Sequence, residues 1–323
     1  MRNILGLALA AGLSAAGPLA AATLVVCPED AAREDCDFRG DDGLPQAADA
    51  AEDGDVILIR AGTYSPRSTR DVPFQDLVVR GYVVTENKSV TFRGEEGTIL
   101  DGGPGAPASA IVARGGVLRF EKLVLRNFRY EAEEDDIYDG HGIFLIGADA
   151  AIAQVRMEGI RKMGLSIRDR SHVTADGLQV LDGHIGVWTE EDAELELKNA
   201  VFRNNDSAGI AAYMDSRIRV KHAVFDGNED DGIFARERAR VEVERALILC
   251  NRPYGARAEG EAVITVRHSA FFGNEADFPT AGEGGRVEVL DLVTQDPRVG
   301  GDYRPLPGSP IAGRNMGPAA PLW

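Results

Sequence analysis

Two histidines stand in copies of one tripeptide, Asp139-Gly140-His141 and Asp182-Gly183-His184, 43 residues apart. Tyr138 precedes the first copy, and Arg161-Lys162 lies between the two. Imidazole and phenol take up or release protons, while guanidinium and ammonium groups neutralise an anion, so these residues hold the parts of a general acid–base site. The same residue types also make ordinary turns, because glycine accepts positive φ and aspartate bonds back to nearby backbone. Proton chemistry therefore needs a fold that brings distant positions together.

A repeat supplies that fold. Glycine followed by an apolar residue recurs at Gly142-Ile143, Gly164-Leu165, Gly186-Val187, Gly209-Ile210, Gly232-Ile233 and Gly255-Ala256, with spacings of 22, 22, 23, 23 and 23. Aligned on these glycines, Ala151, Val173, Leu195, Ile218, Val241 and Ile264 form one column, and Ala153, Ala175, Leu197, Val220, Val243 and Val266 form another. Charged residues such as Glu196, Lys198, Arg219, Lys221 and Glu242 lie beside them. Alternation of apolar and charged residues marks a half-buried strand.

A further column holds Asn205, Asn228, Asn251 and Asn274, each 23 residues after the last. Stacked asparagines bond to their copies above and below and satisfy backbone groups in buried turns. Just before them, Phe202, Phe225, Ile248 and Phe271 make an apolar stack. One coil per repeat, with every strand pairing in parallel with its copies, is an all-β, single-stranded right-handed parallel β-helix, expected to have about nine or ten coils.

The chain resembles the pectin-lyase-like β-helix superfamily over most of its length. Gly43–Tyr64 is similar to the start of those proteins, a short alanine-rich capping helix followed by a first strand. Asp296–Gly313 is similar to the Asp-Pro, Asp-Tyr and Pro-Gly-Ser-Pro tail that follows the last coil. The implied organisation is a signal peptide over 1–22 and one domain over 23–323. Within that domain, 23–64 is the cap and first strand, 65–278 the coils, and 279–323 the last coil with its C-terminal cap or tail.

In that superfamily the polysaccharide lies along the outer face of one strand ladder. Alternation turns Phe144, Ser166, Trp188, Ala211 and Phe234 outward here, about 10 Å between alternate coils. Phe144, Trp188, Tyr213 and Phe234, with the cations Arg161, Arg168 and Arg236, are the expected substrate-binding residues, unless a loop covers them. The coil from Ile111 to Ile143 is longer than the rest, and its excess around Glu131–Gly140 lies beside this face. The constellation resembles mannuronan C5-epimerases and alginate or pectin lyases, in which an Asp-x-His segment with a nearby tyrosine is joined by a histidine two coils on. The resemblance implies His184 and Tyr138 as base and acid in either order. It implies that Asp139 with Arg161 or Lys162 handles a uronate carboxylate, assisted by His141. His184 nevertheless stands two places before its glycine and His141 only one.

The 323 residues carry 35 Lys plus Arg against 52 Asp plus Glu, a net charge of −17, which argues against nucleic acid as a partner. Met1-Arg2-Asn3, the apolar run Ile4–Ala16 and Ala20-Ala21-Ala22 read as an export signal, leaving 34 basic and 52 acidic residues, a charge of −18. The expected product is a periplasmic or secreted monomer without membrane insertion. Export permits a Cys27–Cys36 disulfide and leaves Cys250 as a packed thiol. The acidity repels a polyuronate unless a basic patch or Ca²⁺ intervenes. Glu131, Glu133, Glu134, Asp135 and Asp136 offer carboxylates to Ca²⁺, with no diagnostic ligand spacing and no metal assigned. Two classes remain: a lyase or C5-epimerase acting on an acidic polysaccharide, or a non-catalytic module of the cell envelope binding glycan or protein.

Overall fold

The computed structural model describes residues 21–32, 34–130, 136–279 and 284–320. The expected signal peptide lies almost wholly outside them, as do Glu131, Glu133, Glu134 and Asp135.

The chain winds as a right-handed parallel β-helix. One ladder stacks Leu77–Glu86, Ser109–Arg114, Ile143–Ile146, Met163–Arg168, Ile185–Thr189, Ile210–Ala212, Asp231–Ala235 and Tyr254–Ala258, all in parallel. The other strands of each coil join in a larger sheet, also parallel throughout. Between them runs one continuous core of Val, Ile, Leu, Ala and a few Phe. Each coil shields its apolar face only by lying on the next, so burial and register are set together.

The first paired strand is Thr23–Cys27, earlier in the chain than expected, and it pairs in parallel with Val56–Ile59. The helix Gly43–Ala50 follows it and buries Leu44, Ala47 and Ala48 against the end of the solenoid. Cys27 and Cys36 are bonded as expected, with Cα atoms 5.8 Å apart, tying down a segment that has little core. In the asparagine column, Nδ2 of Asn205, Asn228 and Asn251 donates to Oδ1 of the next at 2.9, 2.8 and 3.0 Å. Each also donates to a backbone carbonyl of the preceding coil.

Two expectations need correction. Val173 pairs with Ala150 and Ala175 with Ile152, so the core residues of that coil are Ala150 and Ile152 while Ala151 and Ala153 face outward. The run from the repeat glycine to this strand is one residue shorter there, around Gly147 with its φ of 56°. The C-terminal tail lies back along the flank, where Tyr303, Ile311 and Met316 cover Val201, Val224 and Leu247, and Ala319 N–H reaches Asn199 Oδ1. Cys250 is exposed rather than packed, on a turn residue with a φ of 56° beside a cavity under that tail.

Candidate functional site

The repeat glycines fix the face under discussion. A Cβ on Gly186 would lie 2.3 Å from the Gly209 carbonyl oxygen and 2.5 Å from the Phe202 ring. Only glycine lets these strands settle on the core at that point. The outward column then reads Phe144, Ser166, Trp188, Ala211, Phe234 and Arg257. On the turn before it, Lys162 N–H donates to Gly140 O at 3.0 Å and Ile185 N–H to Lys162 O at 3.0 Å, placing Gly140, Lys162 and His184 in one row. His141 belongs to the neighbouring row, with Met163 and Ile185. The one-place difference in the two histidine motifs thus puts their side chains in different rows.

One pole of the face is covered by a hairpin that no repeat announced. Arg70–Phe74 pairs antiparallel with the start of Leu77–Glu86, turning at Gln75-Asp76. Tyr138 N–H bonds Val78 O at 2.7 Å, so the long coil is laced to the hairpin. Phe144 is fully buried against Phe74, Val79 and Val112, which corrects its assignment as a sugar-stacking residue. Asp139 is also fully buried, paired with Arg80 Nε at 2.8 Å. Burial raises its carboxyl above the usual range, opposed by Arg80. Because it is sealed, Asp139 cannot meet a carbohydrate.

His141 is equally enclosed. Ser109 Oγ accepts the His141 backbone N–H at 3.2 Å and lies 3.1 Å from Nδ1. Nδ1 shares a hydrogen bond with that hydroxyl, and Nε2, with no hydrogen-bond partner among the described residues, lies among the Tyr138 and Phe144 rings, whose centroids are 4.8 and 4.7 Å away. Burial, reinforced by Arg168 and Lys162, holds its pKa well below the ordinary value. His141 is a neutral packing residue that orders Tyr138.

Beside this sealed pole the face opens. Lys162 Nζ stands 4.2 Å from the Tyr138 ring centroid and 5.0 Å from that of Tyr130. Partial burial lowers the Lys162 pKa, with Asp139 opposing. The Tyr138 hydroxyl accepts from Arg168 at 3.0 Å, and burial raises its pKa despite that cation. Arg168 is itself buried, held by Glu190 and by Ser166 Oγ at 3.0 Å, with its guanidinium 5.4 Å from the Trp188 ring. It therefore fixes Tyr138 and Trp188 rather than reaching for an external anion. His184 is partly exposed, and its Nδ1 bonds Asp206 Oδ1. Arg161 is exposed at the adjoining turn.

Further along, Tyr213 stacks on Trp188 at 4.2 Å and 22°, with Phe234 edge-on to Tyr213 at 5.6 Å. Burial pushes the Tyr213 hydroxyl up to about 12. Phe234 is largely buried and lies under Arg257, 4.5 Å from its guanidinium. Arg257 also binds Asp231 at 2.7 Å and Glu259 at 2.6 Å, with Asp230 at 3.5 Å. Burial raises the Asp231 carboxyl to about 7, with Arg257 pulling it down. Arg236 is exposed, 3.6 Å from Glu259. Arg80, Phe74, Glu190, Asp231 and Arg257 escaped sequence reasoning. Glu190, Asp231 and Arg257 carried a signal, since all three stand in register with the aligned columns, Glu190 in that of Arg168, Tyr213 and Arg236.

Among the described residues no group of three or more His, Cys, Asp or Glu is placed to hold a metal ion. No described helix is long and apolar enough to cross a membrane.

The coil geometry, the capping helix and the parallel ladders define the class of this protein, a right-handed parallel β-helix. The family described as a right-handed beta helix region matches residues 141–290. Among solved structures, pectate lyase Pel9A is similar with a TM-score of 0.60 at 10% identity, over 85% of this chain and 77% of that one. The A-module of Azotobacter vinelandii mannuronan C-5 epimerase AlgE6 gives 0.48 at 16% identity, over 78% and 70% of the two chains. An alginate lyase from Paenibacillus sp. gives 0.49 at 13%, over 83% and 99%. The likeness to pectate lyase Pel9A is one of fold and leaves the activity to the site. No curated protein sequence matches the chain significantly.

Proposed function

We propose that the protein is an exported, carbohydrate-active β-helix enzyme that removes the proton α to a uronate carboxylate, as a lyase or a C5-epimerase. The observation that carries this reading is the open row Lys162–His184 beside the Tyr138 phenol, with the Trp188–Tyr213 stack continuing the same face. On this reading Lys162 is the cation, His184 the base and Tyr138 the acid, beside an aromatic platform.

Lys162 and Arg161 neutralise the carboxylate, which makes the adjacent carbon acidic enough to lose its proton. His184, oriented by Asp206, takes that proton. Tyr138 keeps its own proton because burial raises its pKa, and delivers it to the leaving oxygen in elimination or to the opposite face in epimerisation. Asp139 and His141, assigned to the carboxylate by resemblance, act here by holding the hairpin and the tyrosine. The likeness in fold to pectate lyase Pel9A is compatible with this chemistry, and the disulfide suits an exported protein.

The test is incubation of the protein with alginates, pectins and glycosaminoglycans, following ultraviolet absorbance of unsaturated ends and the NMR signals of inverted uronates. Turnover that falls at least about 100-fold in both Lys162→Ala and Tyr138→Phe is expected. Turnover unaffected by either substitution removes the site. Binding without turnover of any member reduces the protein to a glycan-binding module built on Trp188 and Tyr213.

A further inference from the structure

The open face changes sign along its length. At one end Arg161 and Lys162 stand with Asp139 already taken by Arg80 and Arg168 taken by Glu190. Three coils on, in the same row, Asp230 replaces Lys162, following Lys162, His184 and Ser207 in the backbone hydrogen-bond register. At strand spacing that is roughly 14 Å away. There Asp230, Asp231 and Glu259 gather on Arg257, and Glu259 also meets Arg236 at 3.6 Å, so three carboxyl groups face two cations. Asp231 is fully buried, and its Oδ1 has no hydrogen-bond partner among the described residues. The Trp188–Tyr213 stack lies between the two ends.

Resting on the proposed uronate chemistry, we infer that the substrate is a copolymer in which uronates are interrupted by uncharged sugars, the uronate sitting at Lys162 and an uncharged residue at Asp230. A homopolyuronate brings a carboxylate to every subsite. With one carboxylate on Lys162, another is driven against the acidic end, on a protein whose net charge of −17 already repels the polymer. An uncharged sugar brings hydroxyl groups that donate to the same carboxylates and leaves the cationic end to a single uronate. The aromatic stack favours an apolar sugar face at the position between.

The experiment measures Kd at low salt for oligomannuronate and oligogalacturonate against hyaluronan and unsulfated chondroitin oligosaccharides of equal length. The alternating oligosaccharides are expected to bind at least about tenfold more tightly, a preference that shrinks at high salt. Asp230→Asn combined with Glu259→Gln, both at partly exposed positions, is expected to erase most of that preference by strengthening homopolyuronate binding. Glu196→Gln, on the other sheet, is expected to leave the preference unchanged. Equal or tighter binding of the homopolyuronates overturns the inference while leaving the uronate reading standing, as does a preference insensitive to Asp230 and Glu259. Absence of binding to every uronate oligosaccharide overturns both.

Discussion

At the residue scale, the histidines of the two Asp-Gly-His copies part company. His184 is reachable and paired with Asp206, while His141 is sealed under Tyr138 and Phe144 and stays neutral. Lys162 emerges as the more informative group, because its burial lowers its pKa while its task requires the charged form. Activity is therefore expected to fall on the alkaline side at a pH below that of an ordinary lysine. Lys162→Arg, which keeps its charge throughout, should carry the alkaline limb of a kcat/KM profile upward even where the rate at the optimum drops. An unchanged limb would assign it to another group. The offset between the histidine motifs was legible in the sequence as one place relative to the glycines. The sealing of His141 was not, because Tyr138 and Phe144, which enclose it, are themselves held by Phe74 and its neighbours in a segment without repeats.

At the element scale, the hairpin Arg70–Glu86 decides which part of the ladder is available. Its tie to the long coil is the Arg80–Asp139 pair, buried on the aspartate side. Arg80→Ala leaves a buried carboxylate without its cation and is expected to cost about 3 kcal/mol at neutral pH. Asp139 protonates more readily than an ordinary aspartate, so this cost should shrink as the pH falls; urea midpoints at pH 7.5 and 4.5 measure it. A cost that does not change with pH would mean the hairpin is held by its apolar contacts and the backbone bonds of Val78 without the ion pair. The asparagine ladder makes a second prediction. Asn251→Ala removes acceptors from Asn228 N–H and Nδ2 and donors to Phe225 O and Asn274, all in a buried turn. Loss of about 3 kcal/mol is expected, against less than 1 kcal/mol for a solvated residue such as Lys198. These ladders were legible because each coil repeats its neighbour. The shift at Ala150 and Ile152 was not, since one residue lost in a turn leaves the glycine spacing intact.

At the scale of the whole molecule, the sequence specifies a solenoid through repetition, whereas the chemistry depends on what breaks the repetition. The hairpin, the long coil and the acidic cluster on Arg257 all lie on one face. Asp231 provides a global readout of that cluster. Its carboxyl is raised from 3.8 to about 7, so the folded state binds its proton more tightly than the unfolded chain. The stability it contributes is complete below pH 4 and is lost as the pH rises toward 7. Asp231→Asn should therefore gain on the unmodified protein in urea stability as the pH climbs from 4.5 to 7.5, and a constant difference would contradict the shift. On the proposed reading, the acidity of the chain, which argues against nucleic acid, would act on this face as a selector among polysaccharides.

The central claim is that the open row at Lys162 and His184 removes the C5 proton of a uronate. The most direct measurement uses a uronate-containing oligosaccharide deuterated at C5 and follows release of the label to water. Release with the unmodified protein, suppressed about 100-fold or more in Lys162→Ala, is the predicted result. Cleavage of the chain with the label retained at C5, as hydrolysis would give, would contradict the account.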